Sequence, residues 1–208
     1  MFWGAILLIA VAGYLLGTLN GAILISKWFL KEDVREHGSG NAGLTNFFRS
    51  YGGAVTLFVL AIDVLKTVAA ALLGGWLLGL FGCGELGRML GGAFTVVGHM
   101  FPVFFQFRGG KGILCCAALA GVMDWRVLLA ILAVFILVLA LTRYVSLGSC
   151  LCALLYAPAF AWRFPDNLPV ILIALALALA ALFMHRENIR RLLHGTENRF
   201  SFHRTHKE

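Results

Sequence analysis

Residues 51–84 read YGGAVTLFVLAIDVLKTVAAALLGGWLLGLFGCG, an apolar run in which Asp63 and Lys66 are the only acidic and basic side chains before Glu85. A helix needs about 20 residues to cross the hydrocarbon core of a bilayer, so this stretch is long enough to span. Six more apolar runs flank it: residues 2–26, 89–107, 112–123, 127–142, 144–162 and 168–184. The chain has 208 residues, 61% hydrophobic and 13% charged, with a mean hydropathy of +0.89. A soluble domain carries about a quarter charged residues. Lipid is therefore the expected solvent, and residues 1–208 read as one all-α integral membrane domain. Seven transmembrane helices are expected, with six as the count if 112–123 is a half-span.

Orientation follows from lysine and arginine placement. With the N-terminus outside and seven crossings, one set of loops carries Lys27, Lys31, Arg35, Arg49, Arg108, Lys111 and Arg143. The C-terminal tail on that side adds Arg186, Arg190, Arg191, Arg199, Arg204 and Lys207. The opposite loops carry Arg88, Arg126 and Arg163. This imbalance predicts a cytoplasmic C-terminus and a multi-pass protein of the inner (plasma) membrane. The formal net charge of +7 points to anionic headgroups or substrates, and not to nucleic acid. The first run lacks a basic leader and reads as a span, not a cleaved signal. Cys83, Cys115, Cys116, Cys150 and Cys152 lack zinc-site spacing and read as packing residues without a structural disulfide.

Four polar segments interrupt the apolar pattern on the basic side. The first, 37–49, contains Gly38, Ser39, Asn41, Thr45, Asn46 and Arg49. Glycine lets backbone N–H groups approach an anion, and arginine binds phosphate through paired hydrogen bonds. The second, 98–112, ends Arg108-Gly109-Gly110-Lys111-Gly112 after Pro102. It lacks P-loop spacing but suits an anion nest beneath a lysine. The third places Ser146 and Ser149 one turn apart, and the fourth places His185 and Asn188 so at the end of the last run. Asp63 and Lys66 sit at i and i+3, where mutual neutralisation is expected at membrane depth.

Assembled in order, these segments resemble the bacterial acyl-phosphate-dependent glycerol-3-phosphate acyltransferase family, PlsY. The resemblance rests on His37-Gly38-Ser39-Gly40-Asn41 with Thr45, Asn46 and Arg49, and on Gly98-His99, Phe101-Pro102 and Gly109-Gly110-Lys111-Gly112. It continues through Arg143, Ser146-Leu147-Gly148-Ser149, His185-Arg186-Glu187-Asn188 and Gly195-Thr196-Glu197-Asn198. The chain departs from the usual pattern at Asn20-Gly21, Leu44 and Leu114-Cys115, which bear on packing and acyl-chain preference.

The resemblance implies seven membrane helices and transfer of a fatty acyl group from acyl-phosphate to the sn-1 hydroxyl of glycerol 3-phosphate. The products are lysophosphatidic acid and phosphate. Membrane lipid and other phospholipid-synthesis enzymes are the implied neighbours. The expected catalytic residues are His185, Ser39, Lys111 and Arg49. The expected substrate-binding residues are Gly38, Asn41, Thr45, Asn46, Gly109, Gly110, Gly112, Ser146, Ser149 and Asn188. Amides around Ser39 and Gly110 are expected to hold phosphate and the developing oxyanion. His185 or a substrate phosphate is the expected base. Glu197 reads as structural, paired with an arginine. The carboxylates do not cluster as magnesium ligands, so no metal or other cofactor is expected. A histidine followed five residues later by aspartate, the soluble-acyltransferase pair, is absent. The rival reading is a transporter of a phosphorylated metabolite, which requires a polar path through the membrane.

Overall fold

The computed structural model describes residues 1–200. Arg204 and Lys207, counted above for orientation, lie outside them. Among the described residues there are no strands. The chain forms α1 (Phe2–Thr18), α2 (Gly21–Trp28), α3 (Leu44–Tyr51), α4 (Gly53–Gly79) and α5 (Gly84–Met100). It continues with α6 (Ile113–Met123), α7 (Trp125–Thr142), α8 (Val145–Arg163), α9 (Leu168–Met184) and α10 (Arg186–Leu193). Four helical segments are long and apolar enough to cross a membrane, or up to six if each of two bent pairs is one span. The α7 surface shows why lipid must surround the bundle. Val127 and Ile131 are buried, whereas Leu129, Ile136, Leu137 and Leu141 are exposed.

Three of the expected spans differ in detail. The opening run bends by 42° between α1 and α2. Asn20 caps α2 there, its side chain accepting from Ile23 N at 3.0 Å. An unbroken helix would join Gly17 C=O to Gly21 N–H. Here Lys66 Nζ donates to Gly17 O at 3.1 Å, and Gly21 N donates to Asp63 Oδ1 at 3.2 Å. The Asp63–Lys66 pair thus satisfies both ends of the missing bond, which apolar surroundings would otherwise leave unpaired. The expected neutralisation is present, with Lys66 Nζ 2.7 Å from Asp63 Oδ1, and it also splices the helix break.

The 89–107 run is not one helix. α5 starts earlier, at Gly84, and ends at Met100. The chain then turns outward through Pro102 and the 3-10 turn Val103–Phe105, and folds back. Gln106 and Phe107 adopt left-handed backbone with φ of 61° and 57°. Gly109 N donates to Met100 O at 3.2 Å and Gly110 N to His99 O at 3.1 Å. This return runs alongside the last turn of α5, and α6 starts directly after it. It has 11 residues, about half of the ~30 Å core at ~1.5 Å per residue.

Close helix contact holds the centre together. On α5, a Cβ at Gly91 would overlap Ala70 O, and one at Gly87 would overlap Gly74 O, both on α4. Small residues let helix backbones approach where lipid supplies no hydrophobic drive. A second core joins α5, α6, α8 and α9 through Met89, Val96, Leu119, Tyr156, Phe160 and Leu177. The 57° bend between α9 and α10 turns the chain across the same end that carries the other polar segments.

Candidate active site

One cavity of about 590 Å³ opens at that end. Its mouth is polar and its interior apolar. Lining residues come from the first loop (Gly38, Ser39, Asn41, Gly43), from α3 (Thr45, Asn46, Arg49) and from Lys111 and Gly112 before α6. They also come from α8 (Ser146, Ser149), from His185 and Asn188, and from Arg191 and Glu197. Of the residues singled out above, Gly109 and Gly110 lie behind this lining, against α5.

Each loop is held in place by backbone-directed bonds. Asn46 accepts from Ser39 N at 2.8 Å and donates to Val34 O at 3.1 Å and His37 O at 3.0 Å. Its side chain is therefore engaged in shaping the first loop. Asp33 and Arg35 pair at 2.7 Å, and Arg35 Nη1 donates to Phe105 O at 2.8 Å, tying the first loop to the second. Arg35 also explains why Asp33 is held well below the usual carboxylate range.

The amides expected to bind anions are already paired. Ser39 N bonds Asn46, and Gly109 N and Gly110 N bond the end of α5. The structure offers other donors instead. The first turns of α3, α6 and α8 line the cavity through Leu44 and Thr45, Ile113 and Leu114, and Val145 and Ser146. First-turn N–H groups have no partner inside their own helix, and they favour anions. Arg49 and Lys111 add full charges. Among the described residues, no protein group hydrogen-bonds the side chains of Ser39, Asn41, Thr45 or Ser149, which leaves these available to a ligand.

Lys111 Nζ donates to Asn188 Oδ1. Asn188 Nδ2 donates to Glu197 Oε1 at 2.8 Å, and Ser146 Oγ donates to the same oxygen at 2.9 Å. Arg191 Nε meets Glu197 Oε2 at 2.7 Å. Glu197 thus pairs with an arginine, as its sequence setting suggested, but it also bonds Ser146 and, through Asn188, links to Lys111. These partners hold its carboxylate low despite burial, which opposes them. The tail continues across the mouth, where Arg49 Nη2 donates to Asn198 O at 3.3 Å and Phe200 N donates to Arg143 O at 2.7 Å. Glu197 was missed as a site residue because its partners lie 6, 9 and 51 positions away in the chain. The distance to Ser146 has no local sequence signal.

His185 Nδ1 lies 2.7 Å from Ala181 O. A carbonyl only accepts, so Nδ1 carries hydrogen and the neutral ring leaves Nε2 as a lone-pair acceptor. Below these groups the cavity runs between α6, α7, α8 and α9, past Ala117, Phe135, Cys152, Tyr156, Leu177 and Ala178. A ligand with an anionic head and a long apolar tail matches this lining along its whole length.

The model of the glycerol-3-phosphate acyltransferase family matches residues 7–195. The chain belongs to this family. A glycerol-3-phosphate acyltransferase of Thermoanaerobacter pseudethanolicus is 40% identical over 194 residues, covering 92% of this chain and 94% of the relative. One of Geobacillus kaustophilus is 42% identical over 193 residues, covering 91% and 93%. Among solved structures, the glycerol 3-phosphate form of PlsY (YgiH), an integral membrane glycerol 3-phosphate acyltransferase, superposes with a TM-score of 0.82. It is 33% identical, over 94% of this chain and 96% of that one. Its lysophosphatidic acid form gives a TM-score of 0.80 at 32% identity, covering 95% and 96%. The family membership fits the sequence resemblance and an all-α membrane protein.

Proposed function

We propose that this chain transfers a fatty acyl group from acyl-phosphate to the sn-1 hydroxyl of glycerol 3-phosphate, releasing lysophosphatidic acid and phosphate. The observation that carries this reading is one continuous cavity whose cationic mouth leads into an apolar slot. Both substrates bear phosphate, and one bears a long tail. Acyl-phosphate is already activated, so the glycerol oxygen attacks the acyl carbonyl directly, the carbon–oxygen bond to phosphate breaks, and no acyl-enzyme forms. Arg49 and Lys111, with the first-turn amides of α3 and α6, hold phosphate oxygens and stabilise the developing oxyanion. Ser39, Asn41, Thr45 and Ser149 orient phosphate or glycerol oxygens. Gly38 and Gly112 keep the cavity wall free of side chains. Gly109 and Gly110 act by allowing the return alongside α5. Asn188 and Ser146 act through Lys111 and Glu197. The hydroxyl proton passes to His185 Nε2, or to the donor's own phosphate.

The same reading sets the topology. The four polar segments share one mouth, so an even number of crossings separates each pair. α7 is a full span, so the chain must cross through α6 to reach its start. Seven crossings then put the N-terminus outside and the mouth, with its excess of lysine and arginine, at the cytoplasmic face of the inner membrane. Below the cavity, Met89, Leu119, Val127 and Phe160 are fully buried. A polar path for a transported metabolite finds no support there.

The deciding experiment incubates the purified protein with acyl-phosphate and labelled glycerol 3-phosphate. Labelled lysophosphatidic acid is expected. If none forms while label enters sealed vesicles, the transporter reading replaces this one. Equal product from an acyl thioester would remove the acyl-phosphate assignment.

A pH dependence accompanies this assignment. Burial, followed by repulsion from Arg191, lowers the Lys111 ammonium to about 8 in the substrate-free protein. A phosphate monoester is dianionic above a second pKa of about 6. Between these values the ligand is fully charged and the lysine still protonated. Above about 8 the lysine loses its charge, so KM for the substrate whose phosphate it holds rises with pH. A Lys111→Gln protein should show no such rise, and a flat wild-type profile through pH 9 would contradict the assignment.

A further inference from the structure

His99, in the last turn of α5, lies between the Asp63–Lys66 pair and the Gly109-Gly110 return. It is 3% exposed. Its Nδ1 faces two donors, Lys66 Nζ at 3.1 Å and the Asn20 side-chain amide nitrogen at 3.4 Å. Asp63 Oδ1 lies farther off, at 3.5 Å. Two donors at one ring nitrogen assign Nδ1 as the acceptor, which puts the ring hydrogen on Nε2. Asn20 also donates to Ala42 O at 3.0 Å, so the first loop is tied to the same cluster.

Nε2 points the other way. A Cβ at Gly110 would overlap it, which is why the chain beside it must be glycine. His99 lines the cavity, and among the described residues no hydrogen bond reaches Nε2. An N–H on a cavity wall is satisfied by an acceptor that enters the cavity, and His99 stands on that wall. Asp63, His99 and Cys115 also present ligand atoms within 4.8 Å of one another, a set that could hold a metal. The Lys66 ammonium already lies against two of them and supplies the positive charge there.

We propose that His99 is a further binding residue of the acyl-transfer site. Its Nε2–H, oriented by Lys66 and Asn20 at the opposite ring nitrogen and by Asp63 through Lys66, donates to an oxygen of a phosphate-bearing substrate seated beside Lys111 and Gly112. This rests on the acyl-transfer reading above. The ion pair within the membrane thereby serves recognition at the cavity as well as the α1–α2 break.

Two substitutions separate the ring's two ends. In His99→Gln the side-chain amide reaches the Nε2 position and can donate there. In His99→Asn it reaches only the Nδ1 position and keeps the contact with Lys66. Loss of a hydrogen bond to a charged group corresponds to a roughly tenfold or greater effect. KM for glycerol 3-phosphate or for acyl-phosphate is therefore expected to rise about tenfold or more in His99→Asn, with kcat changed less, and to return to within about threefold in His99→Gln. The substrate whose KM moves is the one whose phosphate His99 binds. A folded His99→Asn protein with both KM values unchanged overturns the proposal. So does a rise of equal size in both variants.

If the variants do not fold, imidazole nitrogen NMR of the wild-type protein decides. The His99 signal is the one that survives replacement of each of the other five histidines. Its Nε2 resonance is expected to shift on saturation with glycerol 3-phosphate or an acyl-phosphate, and no shift with either overturns the proposal. Wild-type turnover in the same preparation tests the acyl-transfer reading separately.

Discussion

Replacing Lys111 by alanine lowers kcat/KM for acyl transfer by about 10²-fold or more, the range seen when one donor to a developing oxyanion is removed. Lys111 is half-buried at the start of α6, its ammonium bonded to Asn188 and turned toward the cavity. Water there is scarce enough to depress its proton affinity. The same scarcity strengthens its attraction for a phosphate or an oxyanion. Arginine at this position should restore little. Its planar fork is bulkier than an ammonium and does not reproduce the point contact that Lys111 makes with Asn188. Steady-state kinetics with each substrate varied in turn provide the check. A Lys111→Ala enzyme with unchanged kinetics would remove Lys111 from the site.

Asp63→Ala is expected to destabilise the fold by about 3–5 kcal/mol, the usual consequence of stranding one charge of a buried pair. Asp63 and Lys66 are 1% and 6% exposed. The substitution leaves Lys66 without its counter-ion and Gly21 N without an acceptor at membrane depth. Adding Lys66→Met should recover part of the loss, because the uncompensated charge is gone. It should not recover all of it, since Gly17 O and Gly21 N stay unpaired. Denaturant unfolding in detergent measures both proteins. An Asp63→Ala protein as stable as its parent would show that the pair does not hold the α1–α2 break.

Much of the architecture is legible in the sequence because hydropathy is a local property. The 51–84 run needs no partner to be recognised as a span, and α4 lies within it. The lysines and arginines likewise mark one side of the membrane by position alone. The polar segments around Ser39, Lys111, Ser149 and His185 could be singled out for a similar reason. Glycines, hydroxyls and cations are conspicuous against apolar runs, and the cavity gathers all four segments.

Which atoms of those segments remain free is a different matter. Gly109 and Gly110 read as anion-binding amides, yet their N–H groups bond the end of α5. Asn46 reads as a ligand for substrate, yet its side chain closes the first loop. A short stretch of sequence shows that donors exist but not which neighbour claims them. That depends on chain segments far apart in number.

By itself, then, the sequence determined a membrane-embedded helical chain and the residue types gathered at one end of it. Tertiary structure alone decided that a short α6 follows the return along α5, that Glu197 joins Ser146, Asn188 and Arg191, and that Asp63 and Lys66 splice a helix break beside His99. The physical reason is range. Burial of apolar surface and helix formation act within a window of neighbouring residues. Hydrogen bonds and ion pairs at the site join residues such as Lys111 and Asn188, 77 positions apart, and exist only once the helices have packed.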